Sequence, residues 1–470
     1  MDTILNDNCI TFKNLEKKIF GDICKIGQDY TREFLERYDE LLMKERDKSA
    51  YRHKGKKTTT VKTVYGEVTY SRRVYEVLRE NGKKEFVFLL DEQLKIPGVG
   101  LISQNMAEHM VSMITESSYR EVAKELSETT GQAISAMGVW NVIQSLGEKV
   151  CEDEEGLVAA HKAGCVHGET ETPVLFEETD GVHVRLQREA QESGEIKVGL
   201  AYDGWKEQGK DRYVLDNKVV VAGFARSKEF QEFREAAIAE KYDMNGIEIR
   251  LMNADGSEWI KNICDTDTVF QLDPFHRNKA VKENIPYAKA VKDVMKLLGD
   301  KDLDGMFKYL EMYKDSLSDD KEIEKADRLI TYFTNNREGL LSYSEKGIKL
   351  PEHPKGLIYR NMGTMENHIW STIAKRMKHN HTCWSIKGGN NLAKILAKKC
   401  SGRLGEVTGK LKYRGFEPAK VEQIREKVMS AATAPKKDGK GYRYPVAGHF
   451  KKLDNSSGIT HRTLLGIIGL

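Results

Sequence analysis

Three acidic residues stand where the local pattern changes abruptly. Asp180 follows the run Val174–Thr179 and precedes Gly181. Asp255 closes the run Ile247–Ala254 and precedes Gly256, and Glu366 opens a helix-like stretch after Gly363. Two aspartates at the ends of strand-like runs and a glutamate on a helix could together hold a pair of divalent cations. Hard oxygen ligands suit Mg²⁺, and two such ions suit in-line phosphoryl displacement. If the three meet in space, the chemistry is the cutting and joining of nucleic acid. Asp-Gly is also the commonest two-residue hairpin signal. Asp203-Gly204, Asp304-Gly305 and Asp438-Gly439 repeat the pair, so each aspartate alone reads first as a turn residue. Position argues for more, because Asp255 leads straight into a helix start at Ser257–Ile260.

Asp273-Pro274-Phe275-His276 closes another apolar run. His276 could order a neighbouring carboxylate or contact a scissile phosphate; a capping aspartate and a packed histidine fit the spacing equally. His368, His379, His381 and Cys383 are residue types that zinc accepts, but their spacing matches no common closed site. The basic candidates for a nucleic-acid backbone are Lys54, Lys56 and Lys57, then Arg72 and Arg73, and later Arg376, Lys378 and Lys387. Trp384 lies in the last, glycine-rich stretch and reads as DNA-facing, with a core tryptophan as the competing reading.

The elements that must position these groups follow from periodicity. Residues 14–46 carry apolar positions at helical spacing, as one or two amphipathic helices for packing or self-association. Residues 58–75 alternate about Gly66 and predict a hairpin. Residues 101–149 return to helical spacing, with a capping box at Ser118–Glu121 and a turn at Gly131. A helix-turn-helix and a plain helical hairpin fit this segment alike. Val174–Phe176 is expected to pair with Val182–Leu186 across a turn at Asp180-Gly181. Strands follow at Ile196–Tyr202, Val219–Phe224 and Ile247–Met252, with a helix from Phe230 to Tyr242 before the last. Residues 280–347 carry only helical signal. Glu366 shares a helix face with Ile369 and Ile373, which aims its carboxylate toward the sheet, an expensive place without a cation. The expected class is α/β, a mixed sheet with helices on its faces.

A chain of 470 residues exceeds one ordinary core and suggests roughly three domains. Hydrophobic residues make up 39% and charged residues 31%, as in a soluble globular protein. No apolar run approaches the ~18 residues that span a bilayer, and the first residues lack the blocks of a secretion signal. The seven cysteines are scattered with no CxxC pair, which fits free thiols in a reducing cytoplasm. Net charge is only +3, yet Lys44–Arg73 and Lys375–Lys452 are strongly basic and flank an acidic body. A polyanion partner accounts for that distribution, and a solvated basic tail is the alternative.

The ordered motifs Glu177–Val182, Ala254–Ile260, Leu272–His276 and Gly363–Asn367, together with Thr63–Arg73 and Tyr202–Trp205, resemble the bacterial ISLre-type insertion-sequence transposases. These were once catalogued as an uncharacterised protein family and are similar to Mutator-like DDE transposases. The resemblance spans about residues 50–400. It implies a ribonuclease-H-like mixed-sheet core with an all-helical insertion and an N-terminal α+β DNA-binding region. The implied organisation is N-terminal helices at 1–50, a basic hairpin region at 51–100 and a helix-turn-helix-like region at 101–160. Core halves at 165–280 and 351–400 then bracket the helical insertion at 281–350, and a basic region fills 401–470. Asp180, Asp255 and Glu366 would hold two Mg²⁺ ions, with Mn²⁺ as a substitute, and Asp273 and His276 would fill the family's C/DxxH positions. The implied partners are element ends, target DNA and further copies of the chain, at the nucleoid in a bacterial cytoplasm, with no membrane. A non-catalytic DNA-binding protein and a nuclease without strand transfer are the alternatives.

Overall fold

The computed structural model describes residues 11–79, 82–94, 100–261, 268–378, 382–409 and 415–433. The helical spacing at the N-terminus becomes one 34-residue helix, α1 (Phe12–Glu45). Its second half lies on a three-stranded antiparallel sheet of β1 (Arg52–Thr63), β2 (Gly66–Leu78) and β3 (Lys84–Val87), in the order β1-β2-β3. The predicted hairpin is therefore present, but β1 begins six residues earlier than the alternation at Thr58 indicated. Gly66 has φ +119°, and a Cβ there would stand 2.2 Å from Gln28 Nε2. Only glycine lets the helix seat on the turn. Leu35, Tyr38, Val61, Val68, Tyr70 and Leu90 close this small core.

Ser118 and Glu121 form the expected capping box on the helix Tyr119–Thr130, and Gly131 ends it in a left-handed conformation. The next helix runs much further than a recognition helix needs, from Ala136 to Lys162. It buries Val139, Val142, Ile143, Leu146 and Val150 and packs on the helix Ile386–Cys400. At the crossing a Cβ on Gly147 would lie 2.4 Å from Asn391 Cβ. Most of this helix is scaffold, while Met137 and Trp140 near its start stay exposed.

The central sheet has five strands: β4 (Val174–Arg185), β5 (Ser193–Tyr202), β8 (Val219–Gly223), β9 (Ile249–Ala254) and β10 (Thr268–Leu272). A separate hairpin of β6 (Trp205–Gly209) and β7 (Arg212–Leu215) interrupts the chain between β5 and β8. The strand order is β8-β5-β4-β9-β10. β5 is antiparallel to β4 and β8 antiparallel to β5, while β9 runs parallel to β4 and β10 parallel to β9.

One expectation is corrected here. No turn divides residues 174–186; β4 continues through Asp180 and Gly181, paired with Val198 and Lys197 of β5. Gly181 is not among the glycines of positive φ, so it makes no hairpin turn. The polar residues that made β4 look broken are buried within it. Glu177 faces one side, held by Arg250 Nε at 2.6 Å and Arg234 Nη1 at 3.1 Å. Phe176, Glu178 and Asp180 face the other, as the two-residue period of a strand requires.

Beyond β10 come four helices, Pro274–Asn284, Ala288–Gly299, Leu303–Asp315 and Asp320–Asn335. They enclose their own core of Val281, Val294, Leu298, Met306, Leu310, Leu329 and Phe333. The chain then returns to the sheet through Met365–Ile369, a π turn at Trp370–Ala374 and Lys375–Met377. A last helix, Pro418–Thr433, folds back on α1, where Phe416 packs edge-on against Phe34 and Tyr38. Among the described residues no helix is long and apolar enough to cross a membrane.

Candidate metal centre

β4 and β9 lie side by side, and their last registered pair is Thr179 with Ala254. One step further along each strand stand Asp180 and Asp255. Asp180 is buried, whereas Asp255 is half-exposed just past its strand. Both line one cleft of 550 Å³ together with His276, Glu366, Glu195, Lys279 and Lys378. Ligand atoms of Asp180, His276 and Glu366 lie within 4.8 Å of one another and could hold a metal ion. All three carboxylates singled out in the sequence thus reach one cleft. The tightest group, however, takes His276 where Asp255 was expected.

Glu366 corrects a second expectation. It lies in the first turn of its helix, but its side chain is exposed at the cleft rather than turned into the sheet. Met365 and Ile369 take the buried positions. A π turn four residues on widens the helix, so a strict 3.6-residue period does not carry through to Ile373.

Burial pushes the Asp180 carboxyl up to about 6, with His276 pulling the other way. A carboxylate so desolvated, with only an imidazole 3.8 Å away to offset its charge, gains from a bound cation. Asp255 Oδ1 accepts from Ser257 N at 2.8 Å and Ser257 Oγ at 2.7 Å, an arrangement that orients its second oxygen. Gly256 follows at φ +79°, where a Cβ would lie 2.3 Å from Asn336 Oδ1. Tyr332 Oη donates to the Asp255 carbonyl at 2.7 Å. The helical unit therefore pins the Asp255 turn.

His276 stands between two aspartates. Its Nδ1 is 3.2 Å from Asp273 Oδ2, and its Nε2 is 3.8 Å from Asp180 Oδ2. Burial alone would lower the imidazole pKa, but the Asp273 hydrogen bond and the charges of Asp180, Asp273 and Asp255 raise it above the ordinary value. Burial would likewise raise Asp273, yet hydrogen bonds from His276 and Asn253 hold it below the usual range. Asp273 Oδ2 also caps its helix through Phe275 N and His276 N. Asp273 is therefore a cap, as one reading had it, and it also holds the His276 ring at the cleft.

Beneath the cleft runs a buried network that the sequence pattern did not point to. Glu178 is fully buried and accepts from Tyr202 Oη (2.7 Å), Asn253 Nδ2 (3.1 Å), Thr364 N (3.0 Å) and Thr364 Oγ1 (2.6 Å). Burial raises its pKa against those hydrogen bonds. Asn253 bridges Glu178 to Asp273 at 2.8 Å and accepts from Gln271 at 3.0 Å. Thr364 lies two residues before Glu366. One buried carboxylate on β4 thus fastens the segment that carries the third acid to the strand that carries the first. Its only sequence signal was an acidic residue inside an apolar run.

The sequence model of the uncharacterised protein family UPF0236 matches residues 5–412. The chain belongs to this family. Three UPF0236 proteins of Caldanaerobacter subterraneus subsp. tengcongensis are similar to it. One is 27% identical over 422 residues, covering 87% of this chain and 83% of its own. A second is 25% identical over 457 residues, covering 91% and 92%, and a third is 25% identical over 463 residues, covering 92% and 87%. The first carries eleven serial designations in a single name.

In this UPF0236 member the basic candidates separate into two groups. Lys56, Lys57 and Lys378 are exposed, and Lys378 lines the acidic cleft. Lys54 and Lys387 are exposed but paired with Glu76 at 3.1 Å and Glu148 at 2.8 Å. Arg72, Arg73 and Arg376 are corrected. Arg72 is buried, with Asp91 at 2.5 Å and the Phe88 ring under its guanidinium. Arg73 turns inward to the buried Asp39 at 2.6 Å. Arg376 donates to the Ile114 carbonyl at 2.8 Å. Alternation predicted the hairpin but not which arginines face its core. Trp384 is buried too, donating to the Met377 carbonyl at 2.9 Å. Lys279 and Lys325 beside the cleft carried no sequence signal, since each is one charge in an ordinary helix. His379 and His381, and most of the basic C-terminal region, lie outside the described residues.

Proposed function

We propose that this chain is a DDE-type DNA transposase that cleaves the ends of an insertion element and joins them to target DNA. The observation that carries the reading is the convergence of Asp180, Asp255 and Glu366, spread over 187 residues of sequence (366 − 180 + 1), on one cleft. The order β8-β5-β4-β9-β10, three antiparallel strands followed by two parallel ones, is the arrangement expected of a ribonuclease-H-like sheet, with the first acid on its central strand. A name that joins eleven serial designations in a relative is what a sequence copied many times within one genome would carry.

The donor set fits divalent cations, being rich in hard oxygen with one imidazole at its edge. Asp180, Asp255 and Glu366 would hold them, with His276 beside them. Bound there, such ions supply Lewis acidity to the phosphate and lower the pKa of water or of a 3′-hydroxyl. The chain's own residues do the rest. Asp273 fixes the His276 ring, which can donate Nε2–H toward a phosphate oxygen. Lys279 and Lys378 flank the cleft and neutralise the backbone of the bound strand. Tyr332 and Glu178 keep two of the acids in place.

The test is Mg²⁺-dependent cleavage of DNA that carries the cognate ends. Asp180→Asn, Asp255→Asn and Glu366→Gln should each abolish nicking while leaving DNA binding intact. A folded variant that still cuts removes that residue from the site. Covalent donor–target products distinguish a transposase from a nuclease that only hydrolyses.

A further inference from the structure

Before Gly27, α1 makes no hydrogen bond, ion pair or ring contact with another element among the described residues, and its side chains are exposed except for the half-buried Cys24. Its earliest contacts are Gly27 against the Tyr65 ring and Gln28 on the Tyr65 carbonyl. Residues 12–26 therefore stand off the body by about 22 Å at 1.5 Å per residue. A free helix of that length is marginal in water, and this one is strongly apolar on one side. Phe12 is 76% exposed, Leu15 42%, Ile19 49%, Ile23 60% and Ile26 57%, with Phe20 beside them at 50%.

The spacing of the stripe is symmetric. Positions 12, 15, 19, 23 and 26 lie at −7, −4, 0, +4 and +7 from Ile19, within an arc of about 80° on a helix. A stripe that reads the same in both directions matches itself when two helices run antiparallel about a two-fold axis. We infer that α1 is a self-association helix, pairing antiparallel with α1 of a second copy centred on Ile19. Phe12 then meets the partner's Ile26, Leu15 meets the partner's Ile23, and the two Ile19 side chains meet on the axis. Lys18 and Asp22 lie on one flank of the stripe, and in an antiparallel pair like flanks face each other. Asp22 thus comes beside the partner's Lys18 on each side of the axis. Such an interface is isologous, as closed dimers require. The stripe offers roughly 600 Å² of apolar surface per copy, about 1,200 Å² for the pair, which reaches the lower bound of stable interfaces. The inference stands on α1 alone and is independent of the chemistry at the cleft.

The experiment uses the full chain. Sedimentation velocity at micromolar concentration should give a dimer or a multiple of it. Ile19→Glu, exposed and far from any core, should shift the chain to a smaller species with its helical circular dichroism unchanged. Register is read by mixing Leu15→Cys and Ile23→Cys chains under mild oxidation. Cross-linked peptide joining the two variants should exceed self-linked Leu15→Cys, and Cys24, on the opposite side of the helix, should stay out of the product. A monomeric wild type would overturn the proposal. An unchanged assembly in Ile19→Glu, or predominant Leu15→Cys self-linking, would overturn it as well.

Discussion

Asp180 is a carboxylate in a costly place: mid-strand, buried, and pushed up to about 6 by its surroundings. Nearby, His276 is drawn toward its charged form by three aspartates. It is the cluster of carboxylates that a metal ion would relieve, and the residues behind them decide how well they are aimed. Removing a partner that orients a metal-binding group typically costs roughly 10–100-fold in affinity or activity. We expect Asp273→Asn to lower cleavage by that order, through loss of His276 orientation toward the phosphate, with Mn²⁺ affinity measured by calorimetry little changed because the three carboxylates are untouched. Glu178→Ala should do more harm to the fold. It strands the Thr364, Tyr202 and Asn253 donors, at about 1–3 kcal/mol for each group left unsatisfied. Denaturant unfolding reads that loss, and weaker Mn²⁺ binding reads the release of Glu366. The three acids were singled out by abrupt pattern changes together with the family resemblance, although Asp180 lies mid-strand rather than at a strand end. Glu178 was not, since one more acid beside Glu177 looks like surface until the strand is known to be buried on both faces.

At the scale of elements, the strands and helices were largely readable from period and punctuation. The capping box at Ser118, β5, β8, β9 and the helices after residue 280 follow from spacing that nothing in the fold opposes. The break predicted at Asp180-Gly181 failed because burial overrode local turn chemistry. The Glu195 side chain of β5 lies over Gly181, 2.1 Å from where a Cβ would stand, so a larger residue would have to move it. The arginines of the hairpin failed because alternation puts Arg72 and Arg73 on opposite faces but does not show the carboxylates, Asp91 and Asp39, that wait on each. The four helices after β10 are more than a spacer, because Tyr332 holds the turn at Asp255 through its carbonyl. Tyr332→Phe should therefore cost about 1 kcal/mol in denaturant unfolding and lower kcat for cleavage while leaving the DNA Kd unchanged. Gly147→Leu should destabilise by about 1–3 kcal/mol, since overpacking a closed helix crossing forces backbone movement. A thermal melt that matches wild type would show that this crossing can yield.

Across the whole molecule, charge was readable in amount but not in direction. The basic hairpin leaves Lys56 and Lys57 exposed, while Arg72 and Arg73, on opposite faces of β2, are taken up by Asp91 and Asp39. Each phosphate neutralised adds roughly 0.9 to the slope of log K against log salt. Replacing both lysines with alanine should therefore lower that slope by about 2, as measured by titrating a labelled duplex over a range of salt. Chelation of divalent ions should stop cleavage and leave both the fold and the salt-dependent binding in place, because the sheet is held by packing and hydrogen bonds rather than by the ions. The most direct test of the shared cation site is a crystal soaked with Mn²⁺ and measured at its absorption edge. An anomalous peak within coordination distance of Asp180, with Asp255 and Glu366 among its ligands, is the predicted result. Manganese bound elsewhere, or an empty cleft in a crystal that otherwise takes up the ion, would contradict it.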